Sequence, residues 1–124
     1  MIGRDAMIIG LGTDLVETAR IKEAIANNSR FVGKLLTENE LSTYTDILNE
    51  KRRVEFVAGR WAAKEAFAKA YGTGISSQLH FHDIEVTNDD HRKPIIVCDK
   101  VDTPVHITIS HTDHYATATV IIED

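Results

Sequence analysis

The segment KRRVEFVAGRWAAKEAFAKAY, residues 51–71, decides the fold because it is the longest stretch with unbroken helical character. It contains six alanines, which have the highest helix propensity. Gly72 follows it, and glycine readily adopts the left-handed conformation that ends many helices. We therefore predict a long helix over residues 51–71.

The chain before this segment predicts a strand and two helices. Residues 7–12 (MIIGLG) read as a short apolar strand, and residues 15–28 carry apolar side chains at roughly helical spacing. Thr37 and Glu40 have the spacing of a capping box, which predicts a further helix ending near Asn49.

The chain after this segment predicts strands. The apolar period changes to two between Leu79 and Val86, and three more apolar or alternating runs follow at residues 94–98, 105–110 and 116–122. Short polar turns separate these runs. Helices followed by a meander of strands indicate an α+β fold, with helices packed on an antiparallel sheet.

The size and composition indicate one globular domain. The chain has 124 residues, of which 43% are hydrophobic and 27% charged, so we expect a single domain over residues 7–124. Residues 1–6 show no pattern and are expected to be a disordered or vector-derived N-terminus.

The net charge of -5 argues against a general affinity for nucleic acid or anionic membranes. With Cys98 as the single cysteine and no apolar run long enough to span a bilayer, a cytoplasmic location is expected.

The long helix carries the first candidate for chemistry, Glu65. It shares one helical stripe with apolar residues and with Lys69. A carboxylate desolvated in such a place must be paired, change its pKa or bind a metal. An ordinary ion pair with Lys69 is the simpler interpretation on spacing alone.

Basic residues are also concentrated on this helix, and clustered guanidinium and ammonium groups suit a ligand with several phosphates. A solvated helix face is the alternative. The residues concerned are Lys51, Arg52, Arg53, Arg60, Lys64 and Lys69.

Asp14 and His111 are the remaining candidates. Asp14 follows a glycine-rich segment at a predicted strand-to-helix junction, where a carboxylate can reach a metal, although Asp14 and Glu17 also fit a helix-capping pair. His111 lies at the end of a predicted strand and could bind phosphate or relay a proton. It could equally be a turn residue, and no nucleophilic triad can be identified around Ser110.

Together these segments resemble the bacterial holo-(acyl-carrier-protein) synthase family in order, content and spacing over residues 7–123. The most specific match is FVAGRWAAKEA at residues 56–66. The other matching segments are IGLGTD (9–14), Arg20-Ile21, LTENE (36–40), Lys69-Ala70, GTG (72–74), ISHT (109–112) and Tyr115-Ala116.

The resemblance implies a phosphopantetheinyl transferase. Such an enzyme moves 4'-phosphopantetheine from coenzyme A to a serine of apo acyl carrier protein, releases adenosine 3',5'-bisphosphate, and serves fatty acid biosynthesis. The resemblance gives Asp14 and Glu65 as ligands of Mg²⁺, and Asp14, Glu65 and Lys69 as catalytic residues. It gives coenzyme A a binding set of Arg52, Arg60, Lys64, Lys69, Gly72, His111 and Thr112. The base that takes the serine proton stays open between a metal-bound water and a carboxylate.

The resemblance also implies partners. Arg20 matches a residue that engages the acidic carrier protein, and family members of this size are homotrimers with sites shared between subunits. The chain departs from the family at HRKP (91–94), where a glycine is usual, and at Trp61, where phenylalanine is commoner. The first departure affects the geometry of one turn and the second the packing beside the metal.

Two other classes of function fit the same residues. A non-catalytic module that binds coenzyme A or another nucleotide would use the carboxylates only as a cap and an ion pair. A metal-dependent hydrolase would cut a pyrophosphate with water as the nucleophile. Addition of the phosphopantetheine mass to a carrier protein distinguishes the transferase from both.

Overall fold

A 22-residue helix, α4 (Glu50–Tyr71), is the central element of the computed structural model, which describes residues 5–124. The Asn49 side chain caps its start by accepting from the Arg52 N–H at 3.0 Å. Gly72 ends it in the left-handed conformation, with φ of 108°. The predicted long helix and its terminator are confirmed. The predicted N-terminal segment of residues 1–6 lies mostly outside the described residues.

A three-stranded antiparallel sheet packs against α4, with strand order β1-β5-β4. Its strands are β1 (Ile8–Glu17), β5 (Tyr115–Glu123) and β4 (Val105–His111). The predicted first strand is confirmed, but it continues to Glu17, so the prediction of helix from residue 15 was wrong. Residues 15–17 stay extended because they pair with Thr117, Ala116 and Tyr115 of β5.

The glycines of β1 allow this strand to lie directly on α4. A Cβ atom on Gly12 would be 2.0 Å from the carbonyl oxygen of Ala66, and one on Gly10 would be 2.2 Å from that of Ala70. These distances are far inside van der Waals contact, so only glycine fits at either position. Because side chains alternate along a strand, Asp14 then lies on the same face as Gly10 and Gly12.

Three shorter helices lie between β1 and α4. They are α1 (Thr18–Asn27), α2 (Phe31–Leu35) and α3 (Glu38–Asp46). The capping box of Thr37 and Glu40 is confirmed, with both reciprocal hydrogen bonds present. The five-residue helix α2 was not predicted, and α3 ends three residues earlier than expected.

The strands that follow α4 do not form one continuous meander. β2 (Glu85–Asn88) and β3 (Pro94–Val97) make a separate two-stranded hairpin, while the alternation at residues 79–83 includes a short 3-10 helix, Phe81–Asp83. In the hairpin turn, Arg92 has a φ of 66°, the left-handed conformation that the glycine usual at this turn would adopt readily.

The core confirms the α+β class, with helices packed on an antiparallel sheet. One cluster joins α4 to the sheet and the hairpin around Phe67, Leu79 and Val120, all with no exposed surface. A second joins α4 to α1, α2 and α3 around Ile21, Leu35 and Val57. Within residues 5–124, no helix has the length and apolar character needed to cross a membrane.

Candidate functional site

Asp14 and Glu65, 51 positions apart in sequence, line the same surface pocket of about 360 Å³. Asp14 comes from the α4-facing side of β1, and Glu65 comes from the third quarter of α4. The capping interpretation of Asp14 was wrong, because Asp14 lies inside a strand. The N-cap residue of α1 is Glu17, and its side chain makes no capping hydrogen bond.

Lys69 compensates only part of the negative charge of this carboxylate pair. Burial raises the pKa of Glu65, the charge of Asp14 raises it further, and Lys69 opposes both effects. The Asp14 Oδ1 atom accepts from the Lys69 ammonium at 3.1 Å, whereas its Oδ2 atom is buried and has no hydrogen-bond partner. A buried carboxylate oxygen without a partner is costly in a folded protein.

The structure therefore favours a cation-binding interpretation of the two acids over the ion-pair one. Lys69 pairs with Asp14 rather than with Glu65, and its ammonium also donates to the Thr13 carbonyl at 2.9 Å. Two carboxylates leave room for substrate phosphates and water, a donor set that Mg²⁺ commonly takes. In the part of the chain that the structure describes, no group of three or more His, Cys, Asp or Glu side chains could hold a metal ion by itself.

Arg20 stands at the edge of this acidic pocket. Its side chain is 79% exposed and lies 3.9 Å from the Glu17 carboxylate. The apolar wall of the pocket includes Phe31 and Trp61. The larger ring of Trp61 packs between Phe31 and Phe81, with centroid distances of 5.8 and 5.3 Å.

A second group of predicted residues lies at the other end of α4, where the chain passes from β4 to β5. Arg52 Nη1 and His111 Nδ1 approach the same carboxylate, that of Glu55, at 3.6 and 3.7 Å. The Thr112 hydroxyl accepts from the N–H groups of His114 and Tyr115 at 3.2 and 3.1 Å. The structure thus brings Arg52, His111 and Thr112 to one region.

Arg60 is half-buried and faces the β2–β3 hairpin. Its guanidinium lies over the Phe56 ring, 4.1 Å from the centroid, and donates to Asn88 Oδ1 at 3.3 Å. Burial lowers the pKa of Arg60, with Glu40 opposing, and the Nε atom is buried without a hydrogen-bond partner. One side of this guanidinium is therefore unsatisfied.

The prediction that Lys64 contacts coenzyme A does not fit the structure. The Lys64 side chain has no exposed surface, and its ammonium donates to Glu40 Oε1 and the Leu35 carbonyl, both at 2.6 Å, and to the Phe81 carbonyl at 3.2 Å. An ammonium has three donors, so none is left for a phosphate. Lys64 is therefore left out of the proposed ligand-binding set.

The basic residues of α4 do not form one continuous patch. Lys51 pairs with Asp113 at 2.8 Å, and Arg53 lies over the Tyr44 ring at 4.2 Å.

Gly72 has a structural role at the helix end, where its N–H donates to the Ala68 carbonyl at 3.0 Å. The Gly74 N–H donates to the same carbonyl at 3.1 Å.

Two residues at these sites, Glu55 and Asn88, were not predicted from the sequence. The i,i+3 spacing of Arg52 and Glu55 could have indicated their pair. No sequence signal indicates the approach of His111 to Glu55 or of Asn88 to Arg60, because both join distant segments.

Comparison with known proteins gives one consistent result. A model of the 4'-phosphopantetheinyl transferase superfamily matches residues 10–120. The chain is 50% identical to the holo-(acyl-carrier-protein) synthase of Anoxybacillus flavithermus over 117 residues, 94% of this chain and 97% of that protein. It is also 50% identical to the synthase of Bacillus subtilis over 118 residues, again 94% and 97% of the two chains.

A solved structure agrees with these relatives. The holo-(acyl-carrier-protein) synthase of Bacillus anthracis, in complex with CoA (3',5'-ADP), superposes with a TM-score of 0.88 at 45% identity. The similarity covers 94% of this chain and 97% of that one.

Proposed function

The chain belongs to the 4'-phosphopantetheinyl transferase superfamily, and we propose that it transfers 4'-phosphopantetheine from coenzyme A to a serine of apo acyl carrier protein. Adenosine 3',5'-bisphosphate is the second product. The names of the relatives and the coenzyme A complex of the B. anthracis protein support this reaction. Fatty acid biosynthesis in the cytoplasm is the role we propose for it.

The meeting of Asp14 and Glu65 is the observation that carries the proposal. The buried Oδ2 atom of Asp14, which has no hydrogen-bond partner, and the raised pKa of Glu65 both favour a bound cation at this pair. We propose Mg²⁺, held by these two carboxylates and by phosphate oxygens of the substrate. When bound, the ion would neutralise charge on the pyrophosphate.

The protein's own cations complete the proposed site. Lys69 holds the Asp14 carboxylate in place and brings a positive charge next to the position proposed for the pyrophosphate. Arg52, Arg60, His111 and Thr112 would hold the rest of coenzyme A, with Gly72 shaping the loop after α4. Positioning and charge stabilisation supply most of the rate enhancement in phosphoryl transfer, and these residues would serve both purposes, while the serine proton would pass to a carboxylate or a metal-bound water.

The distance between the two groups supports a site shared between subunits. Arg52 and Glu65 are separated by thirteen positions of one helix, about 20 Å at 1.5 Å per residue. We propose a homotrimer in which one chain supplies the carboxylates and its neighbour the Arg52 group. The outward face of β1 supports assembly, because Ile9, Leu11 and Leu15 are all more than 60% exposed there.

Arg20 is proposed to bind the carrier protein. It is an exposed cation beside the pocket of Asp14 and Glu65, in a chain whose net charge is -5. A local positive charge would steer an acidic partner towards the pocket, and the association rate should fall as salt is added.

Intact-mass analysis tests the proposed reaction. The protein is incubated with coenzyme A, Mg²⁺ and apo acyl carrier protein, and the carrier is expected to gain one phosphopantetheine group. Matched reactions contain EDTA or a carrier whose acceptor serine is alanine, and neither should show the gain. Coenzyme A binding without transfer would favour the non-catalytic module, and cleavage of coenzyme A with an unmodified carrier would favour the hydrolase.

A further inference from the structure

Glu55 is an acid in a region that we propose binds phosphate. Its side chain is 11% exposed, and its two carboxylate oxygens face Arg52 and His111 at 3.6 and 3.7 Å. Arg52 is one turn away on the same helix, whereas His111 ends strand β4. A carboxylate beside a phosphate site repels the ligand, so its place here needs a compensating role.

The turn that carries His111 is attached to the helices at several points. Thr18 donates through its hydroxyl to the Asp113 carbonyl at 3.1 Å and through its N–H to the His114 carbonyl at 2.9 Å. The Lys51 ammonium holds the Asp113 carboxylate at 2.8 Å. These contacts fix the backbone of the turn, but Glu55 is the acid that faces the His111 ring itself.

We propose that Glu55 is a positioning residue, which holds Arg52 and His111 together so that both can contact one phosphate of the ligand. The inference rests on the proposed function, because it takes coenzyme A as the ligand. A carboxylate between the flexible Arg52 side chain and the rotatable His111 ring reduces the freedom that both side chains lose on binding. It also keeps the guanidinium and the imidazole near each other before the phosphate arrives.

The sign of one binding measurement separates this role from simple charge repulsion. Adenosine 3',5'-bisphosphate is titrated into the full chain by calorimetry, with Glu55→Gln compared with the wild type. Loss of positioning should raise Kd about five- to tenfold, the size of one ordinary hydrogen bond. If Glu55 acts only by repulsion, Glu55→Gln should instead lower Kd.

Glu50→Gln is the matched control, because Glu50 is an exposed acid in the first turn of the same helix. It removes the same charge, whereas the ion pairs of Arg52 and His111 in the described chain are with Glu55. We expect its Kd to equal or fall below that of the wild type. Equal behaviour of the two variants would overturn the proposal.

Two further readouts distinguish positioning from a general structural effect. The KM for coenzyme A should rise in Glu55→Gln while kcat stays near the wild-type value, because Asp14 and Glu65 are unchanged. In an Arg52→Ala background, Glu55→Gln should have a smaller effect on Kd than in the wild type, since one of the two side chains it positions is gone and only His111 remains. Full additivity of the two substitutions, or a fall in kcat with an unchanged KM, would count against the role.

Two further controls test whether Glu55→Gln is folded and whether the wild type carries out the proposed transfer. Thermal unfolding shows whether Glu55→Gln is folded at the temperature of the titration. If it is not, the side-chain NMR signal of Arg52 Nε–H in the wild type gives the answer, since a held guanidinium shows a resolved signal and a free one exchanges with water. The wild type is first tested for transfer to carrier protein, so failure of the proposed function is recognised separately from failure of this inference.

Discussion

Replacing Lys64 by methionine tests the role that the structure assigns to the most completely buried cation in the described chain. Lys64 has no exposed surface, and its partner Glu40 has a side chain 1% exposed. Burial lowers the pKa of Lys64, while Glu40 acts in the opposite direction. Methionine keeps much of the length and packing of the lysine stem but removes the ammonium.

The expected loss of stability is large because the partners of the ammonium stay buried. Glu40 would keep its bonds from the Thr37 and Val86 N–H groups at 2.8 and 2.7 Å, but it would lose its ion pair with the Lys64 ammonium. Removing one member of a buried ion pair costs about 3–5 kcal/mol. For a domain of this size we expect the melting temperature to fall by roughly 10–20 °C.

Urea and thermal unfolding of four proteins measure this effect: the wild type, Lys64→Met, Glu40→Gln and the double variant. The double variant should be more stable than Lys64→Met, because a neutral amide replaces the unpaired carboxylate. Lys22→Met, at an exposed lysine of α1, is the matched control and should change stability by less than about 0.5 kcal/mol.

Binding of coenzyme A supplies the result that would refute the reasoning. At a temperature where Lys64→Met is folded, we expect its affinity for coenzyme A to stay within about threefold of the wild type. Unchanged stability with a large loss of affinity would show that Lys64 contacts the ligand, as the sequence resemblance implied.

Four further substitutions test separate parts of the molecule. Glu65→Gln should reduce transfer by about 100-fold or more while the fold survives, and wild-type turnover at low Mg²⁺ would contradict the proposed role. Because the pKa of Glu65 is raised, the metal-free wild type should lose stability as pH rises from about 4.5 through that pKa, and Glu65→Gln should not show this loss. Gly12→Ala should cost about 3 kcal/mol in urea unfolding, since its Cβ would overlap the Ala66 carbonyl, and a neutral effect would show that β1 can move away. Arg92→Gly should stabilise the protein by about 0.5–1 kcal/mol, because Arg92 has a φ of 66°, and a lower melting temperature would be the contrary result. Leu11→Glu should convert the proposed trimer to monomers in light scattering after gel filtration, and a persisting trimer would place the interface elsewhere.

The elements that were predicted correctly are those whose signals are local. Helix α4 has strong helix formers along its length and glycine at its end, and α3 has a complete capping box, so neighbouring residues define both. Each of these signals acts over one or two helical turns. The tertiary contacts of α3 and α4 are compatible with these local signals and do not override them.

The errors occurred where distant parts of the chain decide the outcome. Residues 15–17 have a helical pattern, but pairing with β5, about a hundred positions later, keeps them in a strand. Lys64 belongs to a basic run that indicates an exposed face, yet α2, α3 and the segment around Phe81 cover it. Neither contact has a counterpart in the local sequence.

The acidic site depends on one local feature and one long-range feature together. The two glycines of β1 can be read from the sequence. Their role, which is to let the strand lie directly on the backbone of α4, follows only from the structure. That close approach sets Asp14 beside Lys69 and near Glu65, because Asp14 follows Gly12 by two positions on the same strand face. A bulkier residue at position 12 would move the strand outward and separate the two carboxylates. The glycine segment therefore serves the site through packing, because a Cβ atom at Gly10 or Gly12 would overlap the backbone of α4.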